Sequence, residues 1–130
     1  MDEAKYLKSK MIFEMHGGKM ESSLELDKYL DKRGADAITL TKDLIIFKHG
    51  SPPTTTEFFE ELIHTSQFIK DKVSTDNITE LEIETKEKLI KYQKQYNIPD
   101  HENKQTLKQV NNLKIILAKK GEIKNVPNHN

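Results

Sequence analysis

The sequence predicts an α+β fold, on three observations. Runs rich in β-branched and aromatic residues are confined to the part of the chain that ends at His49, and the double proline Pro52-Pro53 closes that part. Beyond it, apolar residues recur at helical rather than alternating spacing, in three stretches that each carry start or stop signals. The chain has 130 residues and a mass of 15.1 kDa, enough for one domain around a single modest core. We expect that domain to span 1–130, with its core from about residue 10 to 97 and a C-terminal helix and tail at 101–130.

The elements follow in order. KMIFEM, Lys10 to Met15, is a short apolar run stopped by His16-Gly17-Gly18 and reads as a strand followed by a turn. SSLELDKYLDKRG carries Ser22 and Glu25 at capping-box spacing and Gly34 at the usual stop position, which predicts a helix from about Ser23 to Arg33. AITL and DLIIFKH, joined by Thr41-Lys42-Asp43, read as two antiparallel strands. After GSPP, Thr54 and Glu57 again have capping-box spacing and open a helix to about Lys72. Asn77-Ile-Thr-Glu80 offers the next cap, for a helix ending near Tyr96 or Asn97 before Pro99; Asn77-Ile-Thr79 also matches a glycosylation pattern, but a cap explains it. The last helix runs roughly from His101 to Lys120 and stops at Gly121, leaving GEIKNVPNHN as a tail. The expected result is a short twisted antiparallel sheet packed by helices.

Composition removes several function classes. Twenty-one basic and twenty-one acidic side chains give no global field for nucleic acid or an anionic membrane, and Arg33 is the only arginine. The absence of cysteine excludes disulfides, thiolate metal sites and thiol catalysis. The mean hydropathy of −0.75 accompanies no apolar run near the roughly 18 residues of a membrane span. MDEAKYLKSK lacks the apolar centre of a signal peptide, so no membrane partner is expected and any export would be directed from outside this chain. No phosphate loop, dinucleotide fingerprint or nucleophile elbow is present.

Chemistry concentrates in EFFEELIHTSQ, Glu57 to Gln67. At 100° per residue, Phe58, Phe59, Leu62, Ile63, Ser66, Ile69 and Val73 gather on one side, the expected core face. Glu57, Glu60, Glu61, His64 and Asp71 fall on the other, where an ordinary solvated face is the plain explanation. Glu60 and His64, however, stand at i and i+4 and can reach one ion. In the zinc-protease motif H-E-x-x-H those outer positions hold ligands, and the glutamate between them, here Glu61, is the general base. On the following helix Glu82 points into a gap at the edge of the apolar side. A carboxylate there needs a partner, either Lys86 one turn on or a metal shared with His64. His16 and His49 end their runs as exposed turn residues or as extra imidazoles for a cleft.

DLIIFKHGSPPTTTEFFEELIHTSQ followed by TELEIETKEKLI resembles the core of zincin-like domains of the gluzincin type, and more closely the small zincin-like toxin domains of bacterial polymorphic toxins and some phage head proteins. The likeness covers roughly Leu24 to Gln93. Those domains read H-E-L-x-H-x-x-Q and then E-x-E-A, matched by Glu61, His64, Gln67, Glu82 and Glu84; Glu60 stands where histidine is usual, and Thr85 where alanine is. The resemblance implies a small zincin-like α+β domain with Glu61 and His64 as catalytic residues and Glu60, His64 and Glu82 as metal ligands. Two carboxylates and one imidazole form a harder, less zinc-selective set, so zinc is the first expectation and manganese, iron or no metal the others.

The implied function is the C-terminal effector domain of a bacterial or phage-borne toxin with a metallopeptidase-like hydrolase cleft. Such a domain is delivered as part of a larger protein, acts in the target-cell cytoplasm and is blocked by a cognate immunity protein. Two other functions fit the same residues: a nuclease toxin using the Glu/His cleft against a phosphodiester, and a binding module that has lost catalysis.

Overall fold

The computed structural model describes residues 1–74 and 76–125, with side chains described to Lys120. The chain divides into two compact units, Met1–Lys72 and a second from Val73 onward.

The first unit opens with a helix, α1 (Glu3–Met15), where the KMIFEM run predicts a strand. Seven residues, close to two helical turns, separate Tyr6 from Phe13, so both fall on one side of α1 and pack on the core. The helix ends at His16, whose backbone N–H reaches Phe13 O, and the Gly18 N–H also donates to Phe13 O. A side chain at Gly18 would run into the Phe13 ring, so the turn needs glycine there.

β1 (Lys19–Glu21) follows, then α2 (Leu24–Lys32). Its cap is Ser23, whose side chain accepts from Leu26 N, one residue later than the Ser22–Glu25 spacing predicts. At the other end Gly34 takes φ +63°, and the Gly34 and Ala35 amides close back on Asp31 O and Leu30 O, as a C-terminal glycine cap does.

β2 (Ala37–Thr41) and β3 (Leu44–Phe47) form the expected antiparallel pair, with a bulge between Thr39 and Thr41. The sheet itself is mixed rather than purely antiparallel: its order is β1-β3-β2, and β1 pairs with β3 in parallel, Met20 opposite Ile45. As the central strand, β3 buries Ile45, Ile46 and Phe47 in succession, which is why LIIF shows no alternation. Met20, Ile45, Phe47 and Phe58 make the core cluster of this unit, joined by Tyr6, Phe13, Ala37, Phe59 and Leu62.

Pro52-Pro53 leads into α3 (Thr55–Ile69), which carries the complete capping box: Glu57 N–H donates to Thr54 Oγ1 at 3.0 Å and Thr54 N–H donates to Glu57 Oε1 at 2.8 Å. The helix stops at Ile69, short of Lys72, because Asp71 turns left-handed (φ 55°) and Lys72 N–H closes on Gln67 O.

In the second unit, Asn77 caps α4 (Ile78–Lys91) by position, but its Oδ1 turns back to accept from the Ser74 N–H and hydroxyl. The helix breaks at Tyr92 and resumes for one turn as α5 (Gln93–Tyr96) before Asn97 adopts the left-handed conformation. α6 (Asp100–Asn125) packs against α4 and continues through Gly121 instead of stopping there. The rest of the expected tail, 126–130, lies outside the described residues. Leu81, Ile83, Leu89, Ile98 and Val110 are buried in this part of the chain. No helix among the described residues is long and apolar enough to cross a membrane.

Candidate functional site

The position of α3 is set by Phe58. Its ring stacks on Phe47 at 6.1 Å between centroids and meets Tyr6 edge-on at 6.1 Å, pressing this side of the helix onto the sheet. Thr54 and Glu57 fix where the first turn begins, and hence the rotation of everything after it. From Phe58 at 100° per residue, Leu62 lies about 40° to one side, Thr65 about 20° and Glu61 about 60° to the other.

That rotation corrects the predicted face of Glu61. It does not join the solvated side but is buried, 5% exposed, while Ile69 and Val73, expected in the core, are 65% and 40% exposed. The Glu61 carboxylate is met from β2 by Thr39, whose hydroxyl lies 2.9 Å from Oε1 and 3.0 Å from the Glu61 carbonyl. The Thr65 hydroxyl also donates to that carbonyl, at 3.1 Å.

Glu60 and His64 stand one turn apart on α3, as their spacing predicts, and both are half-buried. The His64 ring is oriented from its own helix: Nδ1 lies 2.9 Å from Gln67 Oε1, and Gln67 is almost fully buried at 1% exposed. An amide oxygen only accepts, so Nδ1 is the donor in this contact, and in the neutral ring the lone pair then sits on Nε2.

Glu82 lies on α4, half-buried between the buried residues Leu81 and Ile83. One turn on, Thr85 is fully buried, its hydroxyl donating to Leu81 O at 2.8 Å, so the threonine satisfies its own polar group. On α3 Glu60 and His64 offer one carboxylate and one imidazole a turn apart; Glu82, the third ligand that the resemblance implies, belongs to the second unit. This pair fits a divalent cation that accepts oxygen as readily as nitrogen.

Two further histidines were candidates from the sequence, His16 and His49. His16 Nδ1 lies 2.9 Å from Ile12 O at the exposed end of α1, and the His49 backbone N–H donates to Asp27 Oδ1 at 2.9 Å. The residue that motif reading misses is Thr39. Its signal was available: in AITLT, Ala37 and Thr39 share one face of the strand, and a threonine on a core-facing position calls for a polar partner.

Comparison with protein-family models, with curated proteins and with solved structures finds no match for this chain.

Proposed function

We propose that this chain is a zincin-like, metal-dependent hydrolase domain acting on peptide bonds as the effector end of a larger bacterial or phage-borne toxin. The observation that carries this reading is the arrangement on α3: Glu60 and His64 one turn apart, Glu61 between them, and Gln67 holding His64 Nδ1. In this reading Glu60 and His64 Nε2 hold the ion from α3, Glu82 is the third ligand that the resemblance implies, and Glu61 is the general base. A bound divalent ion supplies Lewis acidity toward the scissile carbonyl. Glu61 takes a proton from the attacking water as its oxygen bonds to the carbonyl carbon, then passes that proton to the amine nitrogen as the C–N bond breaks.

The toxin setting rests on the family resemblance, and a cognate immunity protein follows from it because a producing cell must block an active hydrolase. The balanced charge and single arginine favour a peptide over a phosphodiester substrate. The test is incubation of the full chain with denatured protein, RNA and DNA, with and without chelator. Chelator-sensitive cleavage of protein, abolished by Glu61→Gln, is the expected result. Cleavage of nucleic acid alone would replace the peptidase reading with the nuclease one. No cleavage of any substrate would leave a binding module.

A further inference from the structure

The geometry points to Thr39 as a positioning residue for Glu61, an assignment that rests on the hydrolase reading above for its catalytic meaning. Glu61 is buried, and burying a carboxylate requires a donor that holds it. Thr39 is itself buried at 8% exposed, on β2, and brings its hydroxyl to 2.9 Å from Glu61 Oε1. A hydroxyl has one proton, and Thr39 Oγ1 lies close to two acceptors, Glu61 Oε1 and the Glu61 carbonyl. The Thr65 hydroxyl already donates to the carbonyl, so the Thr39 proton is directed to the carboxylate, the more basic of the two.

The strand thereby fixes one oxygen of Glu61. A carboxylate has two oxygens, and anchoring one sets the plane in which the group accepts and returns a proton. The bulge between Thr39 and Thr41 lies beside this contact, at a place where strands commonly re-aim a side chain. A general base held by a rigid sheet through a threonine is pre-organised in a way that the helix alone does not provide.

The test compares wild type, Thr39→Val and Thr39→Ser as full-length, metal-free protein. The readout is the ¹³C carboxylate resonance of Glu61 at one fixed pH, assigned by its loss in Glu61→Gln. The resonance should move in the valine variant and return in the serine variant, which restores the hydroxyl. With metal and substrate, kcat should fall about 10- to 100-fold in Thr39→Val with KM unchanged, and serine should recover most of it. Should valine prevent folding, Thr39→Ala takes its place in the same comparison.

A Glu61 resonance that stays at its wild-type position without the Thr39 hydroxyl overturns the assignment. So does a resonance that moves while kcat of an active protein is unaltered, because the contact would then be purely structural. A resonance that moves and returns as expected, in a protein that hydrolyses nothing, supports the orientation of Glu61 by Thr39 and removes the hydrolase reading alone.

Discussion

Gln67 Oε1 accepts from His64 Nδ1 at 2.9 Å, and this contact makes Nδ1 the nitrogen that carries a proton in the neutral ring. ¹⁵N spectra of histidine-labelled protein should show His64 as the Nδ1–H tautomer, and an Nε2–H ring would contradict the assignment. Gln67→Leu should release the ring to both tautomers and weaken metal binding about 10- to 100-fold.

Tyr6 supplies a second residue-level test. Burial against Phe47 and Phe58 raises its phenol above the ordinary value, and the charge of Glu14 adds to the shift. The fold therefore favours the protonated form. The stability this gives is complete below the unfolded value of about 10 and is lost as pH rises through the folded one. Denaturant titrations at pH 8 and pH 11 should show wild type losing more stability than Tyr6→Phe, and equal losses would contradict it. At this scale the sequence showed the Glu60–His64 spacing, because i and i+4 depend on the helix alone. It did not show the burial of Glu61, because the rotation of α3 against β2 is set by the Phe47–Phe58 stack and by Thr39, contacts between distant parts of the chain.

At the scale of elements, the capping box of α3 was legible because its spacing is local, and both of its hydrogen bonds are present. Thr54→Ala should cost about 1 kcal/mol, measured by urea denaturation. An unchanged midpoint would mean that packing of Phe58 sets the start of the helix without help from the cap. The β2–β3 hairpin was equally readable from its β-branched runs and the polar turn between them. KMIFEM misled, because four apolar residues within six satisfy a strand pattern while Phe13, one turn-pair beyond Tyr6, satisfies a helical one. β1 escaped notice for a different reason. It is three residues long, and its extended form comes from parallel pairing with β3 rather than from its own side chains. The continuation of α6 past Gly121 shows a glycine tolerated inside a long helix, where a stop was expected.

For the molecule as a whole, the α+β class was legible in the order of its periodicities, with the strands early and the long helices late. The mixed pairing of the sheet was not, since a parallel neighbour leaves no turn signature between adjacent runs. Balanced charge and the lack of cysteine narrowed the chemistry to oxygen and imidazole groups, and these are what Glu60 and His64 present on α3. The most direct measurement is calorimetric titration of the full, metal-free chain with zinc and with manganese. One equivalent should bind to wild type and to Glu61→Gln, and binding should be lost in His64→Ala and strongly weakened in Glu60→Gln and Glu82→Gln. Absence of binding by wild type, or binding that survives His64→Ala unchanged, would contradict a metal centre built on α3.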